Sequence, residues 1–267
     1  MNRASGLKTD DTDSLLNDDE KSLFQSVLID NAVDPRGRWT LGLLFAAYGV
    51  TLFEPFHQDI IDHDPFLSHP VKEQTVPTWL CVLLGAGLPV IIFVVFSRFI
   101  VGESLDALRS MLGLIQSISI TETTTALLKN FVGRPRPNFF QLCKFSNGLC
   151  QDRTTEWEAY RSFPSGHSSF AFSGLLFLSL WLLGKSRISC SSGPSFAKTL
   201  SSMTPIVLAM FIATSRIRDC WHHHSDVLAG VLIGSATSLY AYRTHFPSIW
   251  HRTSPDRPFP LPPESDF

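Results

Sequence analysis

Charge is what this chain has least of. Only 17% of its 267 residues are Asp, Glu, Lys or Arg, against about 25% in ordinary proteins. Thirteen of those charges fall in residues 1–38, which leaves 33 for residues 39–267. Positive charge is in no excess: 22 Lys and Arg stand against 24 Asp and Glu, a net charge of −2. That excludes a broadly basic face, so no nucleic-acid partner is expected. Five Cys in a chain of this length are too few for a disulfide scaffold. Aromatic residues are not lacking, and 21 Phe with 6 Trp carry too much apolar surface for a disordered polar chain.

Where charge is missing decides the class. Runs without Asp, Glu, Lys or Arg extend over residues 39–53, 74–97, 162–184, 199–215 and 227–242, and only Glu122 interrupts a sixth over 110–128. A membrane helix needs about 20 mostly apolar residues. The runs 74–97 and 162–184 meet this fully. The runs 39–53 and 199–215 are shorter and would also suit buried core helices, but six regularly spaced runs favour spans. The expected fold is therefore all-α, a bundle of six transmembrane helices.

Residues 1–37 are acidic and lack the basic start and apolar run of a cleavable signal peptide. They are expected to form a disordered cytosolic region. Residues 38–245 would form the membrane domain, and 246–267 a Pro-rich cytosolic tail. No internal repeat is evident. Six spans place both termini on one side and the loops 54–76, 129–161 and 216–226 on the other. Lys and Arg then count nine on each side, a tie where the positive-inside bias predicts an excess. Most of the second nine crowd beside histidines, which suggests an anion site.

Three segments carry that site. In Lys129-Asn-Phe-Val-Gly-Arg-Pro-Arg136-Pro137, the prolines stop the third helix as it delivers Lys129, Arg134 and Arg136. Snorkelling interfacial anchors are the plain alternative. In Pro164-Ser165-Gly166-His167, Ser165 suits an N-cap and Gly166 permits close approach of a ligand. Free N–H groups at a helix start favour an anion. The third segment, Ser215-Arg216 to Asp226, contains His222, His223 and His224. If the sixth helix begins near residue 221, His222 and Asp226 share a face. The carboxylate would then fix the histidine tautomer and free one ring nitrogen as a nucleophile. Arg216 reaches the same ligand only if a turn folds it back. Adjacent histidines on a helix diverge, so no metal site is expected.

Together the segments read Lys-x6-Arg-Pro, Pro-Ser-Gly-His and Ser-Arg-x5-His-x3-Asp. This combination resembles the type 2 phosphatidic acid phosphatase superfamily. GRPRPNFFQLC, PSGHSSFAF and SRIRDCWHHHSDVLAG are similar to its lipid phosphate phosphatase branch, nearest to fungal diacylglycerol pyrophosphate and phosphatidate phosphatases. The similarity extends over about residues 38–243. Cys220 stands where that branch is expected to have an aromatic residue.

The resemblance implies that His222 attacks phosphorus with Asp226 in support, and that His167 serves as acid and then base. Lys129, Arg136, Arg216, Ser165 and Gly166 would bind the phosphoryl oxygens, with no metal and no cofactor. It also implies a site at the extracytoplasmic or lumenal membrane face and cytosolic termini, in an endomembrane, vacuolar or plasma membrane. The partner would be a lipid phosphate within the bilayer. A disulfide between Cys143 and Cys150 becomes feasible if their loop faces an oxidising compartment, and free thiols are equally compatible with the sequence. Two rivals use similar residues: a head-group transferase or non-enzymatic lipid-phosphate binder, and a vanadate-dependent haloperoxidase. Six spans argue against the last, which is a soluble type.

Overall fold

Proline, glycine and hydroxyl residues set the limits of the helices. In the computed structural model, residues 35–101, 104–146, 148–186, 195–250 and 257–258 are described. Six long helical elements appear: α1 (Pro35–Thr51), α2 (Thr78–Ile100, with two π-helical turns), α3 (Ser104–Val132), α6 (Gly166–Lys185), α7 (Phe196–Arg218) and α8 (His224–His245). Between α3 and α6 lie the short helices α4 (Phe139–Leu142) and α5 (Arg153–Ala159), with a hairpin of β1 (Phe145–Ser146) and β2 (Leu149–Cys150) between them. The chain divides into two units, Met1–Trp39 and Thr40–Phe267. Most of the acidic region 1–37, and much of the tail 246–267, lie outside the described residues.

Among the described residues, three helices are long and apolar enough to cross a membrane: α2, α6 and α7. In α1 the apolar stretch Gly42–Thr51 is shorter. α3 and α8 are long, but Ser and Thr dilute their apolar character.

α6 is the central helix, packed by α8, α7 and α3, and 72% of its apolar window is buried. The polarity of the bundle is inverted relative to a water-soluble protein. Hydroxyl groups lie inside, where the Ser117 hydroxyl donates to the Ser173 carbonyl at 3.0 Å. Thr121 meets Thr237 at 2.5 Å and Thr125 meets Ser169 at 3.0 Å. Large apolar residues face outward, among them Phe99 (80% exposed), Val207 (65%) and Leu232 (62%). Close small-residue packing with interhelical hydrogen bonds, under an apolar exterior, suits a protein whose solvent is lipid. The chain is an integral membrane protein.

One close approach depends on glycine. A Cβ at Gly174 of α6 would overlap the Gly85 carbonyl of α2. Gly174→Ala is expected to destabilise the fold by about 1–3 kcal/mol through overpacking, more than helix propensity returns. A lowered thermal midpoint in detergent would show it, and an unchanged midpoint would mean that the two helices separate freely.

The loop segments form a small cap with its own core of Leu67, Phe139, Cys143, Cys150, Ala159 and Tyr160. Cys143 and Cys150 are bridged across the hairpin. The chain after α1 caps the end of α3: Phe56 N–H donates to the Asn130 carbonyl at 2.8 Å, and Gln58 Nε2 to the Val132 carbonyl at 3.0 Å. There Gly133 adopts φ +58°, and a Cβ would overlap the Phe56 carbonyl, so glycine ends α3 before the two prolines.

Candidate active site

The three motif segments converge because each sits at the end of a helix beside α6. Arg134 and Arg136 follow the α3 terminus, His167 opens α6, and the third segment is the turn between α7 and α8. That turn reverses the chain sharply. Cys220 adopts φ +60°, and Trp221 N–H donates back to the Arg216 carbonyl at 3.1 Å. Arg216 is thereby folded toward His222, as the spacing required.

α8 begins at His224, three residues later than expected, so His222 and Asp226 do not share a helix face. Asp226 instead occupies the third helical position and forms a capping box with His223. Its Oδ2 lies 3.8 Å from His222 Nδ1, too far for a hydrogen bond. His222 Nδ1–H donates to the Ser162 carbonyl at 2.8 Å, and the Ser162 hydroxyl donates to Asp226 Oδ2 at 2.6 Å. The carboxylate therefore acts on the histidine through Ser162. Asp226 is fully buried, and Arg134 Nη1 donates to its Oδ1 at 2.7 Å.

The other ring nitrogen has a defined role. Arg136 Nη1 lies 3.1 Å from His222 Nε2. A guanidinium only donates, so Nε2 accepts and carries the lone pair. Burial, reinforced by the Arg136 charge, holds His222 well below the ordinary histidine value. The ring is neutral and in one tautomer.

A cavity of about 420 Å³ is lined by Lys129, Arg136, Gly166, His167, Arg216 and His222, together with Gln74, Glu122, Glu158 and Trp221. Six of the eight expected residues therefore share one space. Ser165 and Asp226 do not line it. Ser165 is the N-cap of α6 without a side-chain cap bond, and its buried hydroxyl accepts from Ser168 Oγ at 3.0 Å. Among the described residues, His167 Nε2 has no hydrogen-bond partner. Lys129 Nζ donates to the Arg161 carbonyl at 2.8 Å. Among the described residues, no group of three or more His, Cys, Asp or Glu could hold a metal ion.

Several partners escaped the sequence. Glu158 pairs with Arg136, whose Nη1 also donates to the Trp221 carbonyl at 2.9 Å. Arg216 is held by Gln74 Oε1 at 3.0 Å and Asp219 Oδ2 at 3.2 Å. Asp219 also accepts from Thr75 N–H and hydroxyl, both at 2.7 Å, tying the first loop to the turn. Arg134, outside the recognised pattern, proves to be the cation on Asp226. Its position two residues before Arg136 in a Pro-interrupted extended stretch was the available signal.

A helical membrane bundle with a cationic cavity and two histidines at its helix ends defines a phosphate-handling membrane protein, and the comparisons agree. The PAP2 superfamily profile matches residues 110–250. Lipid phosphate phosphatase 1 of Arabidopsis thaliana is 37% identical over 223 residues, spanning 78% of this chain and 67% of its own. Probable diacylglycerol pyrophosphate phosphatase 1 of Schizosaccharomyces pombe is 31% identical over 246 residues, spanning 87% of this chain and 86% of its own. Diacylglycerol pyrophosphate phosphatase 1 of Saccharomyces cerevisiae is 28% identical over 253 residues, with 84% and 81% covered. No solved structure matches. The chain belongs to the PAP2 superfamily.

Proposed function

We propose that this protein hydrolyses lipid phosphate monoesters and pyrophosphates, including phosphatidate, lysophosphatidate and diacylglycerol pyrophosphate, without a metal ion. The observation that carries this reading is the neutral His222 ring, with its Nε2 lone pair turned to Arg136 in a cavity that also holds Lys129, Arg216 and His167.

His222 Nε2 attacks phosphorus as Arg136 transfers its hydrogen bond from that nitrogen to a phosphoryl oxygen. The phosphorus–oxygen bond to the lipid breaks, and protonated His167 donates its proton to the leaving oxygen. A phosphohistidine remains. His167, now neutral, takes a proton from water, whose oxygen attacks phosphorus and releases His222. Lys129, Arg136, Arg216 and the Gly166 N–H stabilise the charge on the phosphoryl oxygens. Ser165 ties the start of α6 to α8 through its N–H, which donates to the Asp226 carbonyl at 3.0 Å, so that Gly166 and His167 face the cavity. Asp226 and Ser162 fix the tautomer.

The six long helices are read as six spans, with both termini cytosolic. The Cys143–Cys150 bridge supports a lumenal or extracytoplasmic location for the motif loops. The cavity wall continues into Leu44, Val82, Ile118 and Phe170, which suits a head group held at the membrane surface with its acyl chains among the helices.

Purified protein in mixed micelles with EDTA is expected to release inorganic phosphate from these lipids. No release would overturn the hydrolase reading, and a phosphorylated lipid acceptor among the products would assign a transferase. The rate should follow a bell-shaped pH profile. His222 is already neutral at physiological pH, so the acid limb should lie below the ordinary histidine value of about 6.5. The alkaline limb follows loss of the His167 proton from the substrate complex, where the bound phosphate anion favours the charged ring. A rate unchanged from acid to alkaline pH would contradict the pairing.

A further inference from the structure

A carboxylate lines the cavity where the cationic mechanism has no use for one. Glu122 lies on α3 seven residues before Lys129, which is 20° around the helix and about 10 Å along it. Both side chains face the same cavity. Among the described residues, Glu122 has no hydrogen-bond donor directed at it and no ion-pair partner. Ile118 lies one turn before it on the same helix face, and Leu44 and Phe170 line the same cavity. An ionisable group at membrane depth is costly unless it meets a partner, and the charge that reaches it is that of Lys129, whose Nζ donates instead to the Arg161 carbonyl.

We propose that Glu122 reads the lipid backbone next to the phosphate and selects substrates that carry a hydrogen-bond donor there. A phosphate held by Lys129, Arg136 and Arg216 places the second backbone carbon of its lipid on the apolar side of the cavity, toward Glu122. In a diacylated lipid phosphate that carbon bears an ester and offers no donor. In a lysolipid phosphate it bears a hydroxyl, and in a long-chain amino-alcohol phosphate an ammonium group. The ammonium is the better partner, since it adds charge to the hydrogen bond. Glu122 takes no part in the chemical steps, so its effect belongs to recognition.

The proposal rests on the hydrolase reading and is tested on kcat/KM for three lipids: a diacyl phosphatidate, a 1-acyl lysophosphatidate and a long-chain amino-alcohol 1-phosphate. Glu122→Gln is expected to reduce turnover of the amino-alcohol phosphate by about tenfold or more. The loss should be smaller for the lysolipid, and phosphatidate hydrolysis should stay within about twofold. Methylating the lysolipid hydroxyl should slow the unaltered protein, a check that needs no variant, and should have a smaller effect on the variant, whose neutral amide oxygen accepts a weaker hydrogen bond. Equal changes on all three lipids, or a methylation effect of the same size in both proteins, would overturn the assignment. Failure of the unaltered protein to release phosphate from any lipid would instead overturn the hydrolase reading beneath it.

Discussion

His222→Ala should abolish phosphate release almost completely, by about 10⁴-fold or more, the scale seen when a nucleophile is removed. The expectation follows from what the rest of the cavity can do without it. Lys129, Arg136 and Arg216 would still bind the anion and His167 could still donate a proton, but no protein atom would be placed to attack phosphorus. KM should therefore change little while kcat falls. The fold should survive, because the ring lost is neutral and its two partners, the Ser162 carbonyl and Arg136, keep or find other contacts. Quenching the reaction in base should trap a phosphorylated chain from the unaltered protein and none from the variant. Residual activity above about one-tenth would rule out His222 as the nucleophile.

Asp226→Ala should act on stability as well as on rate. The fully buried carboxylate receives bonds from three separate parts of the chain: Arg134 at 2.7 Å, the Ser162 hydroxyl at 2.6 Å and His223 N–H at 2.9 Å. Removing it strands the buried donors among these. Arg134 keeps access to solvent, its side chain being 31% exposed, so the loss is that of buried hydrogen bonds, about 1–3 kcal/mol, and the Ser162 relay to His222 is lost with it. A thermal midpoint several degrees lower and near-zero activity are expected. Asp226→Asn keeps the shape and some hydrogen bonds, so it should retain more stability than activity. A variant lacking the carboxylate but with an unchanged midpoint would show that the three segments are held together by other means.

The site was legible in the sequence to the extent that its residue types are rare in apolar surroundings. Lys129, Arg136, His167, Arg216 and His222 stand out for that reason, and all five face one cavity. The connections between them were less legible, because hydrogen bonding depends on the three-dimensional ends of helices. The α8 boundary illustrates this: helical spacing placed His222 and Asp226 on one face, whereas His223 takes the N-cap and leaves His222 in the turn. Ser162 and Glu158 were invisible for a related reason, since an ordinary serine and an ordinary loop glutamate acquire their roles only when α5 and the start of α6 meet the α7–α8 turn. The six helices could be read from gaps in charge, yet among the described residues only α2, α6 and α7 are apolar enough to qualify as spans by themselves.

That last difference bears on how the molecule is made. In the six-span reading, α3 and α8 carry hydroxyl groups that meet partners on other helices, as between Thr121 and Thr237, Thr125 and Ser169, or Thr123 and the Leu43 carbonyl of α1. A helix entering the bilayer alone would leave those groups to lipid, whereas α2, α6 and α7 can partition by their own hydrophobicity. Assembly is then ordered by polarity. The apolar helices lead, α3 is retained once α6 arrives to accept its hydroxyls, and α8, which follows them in the chain, closes the seam that brings His222 into place.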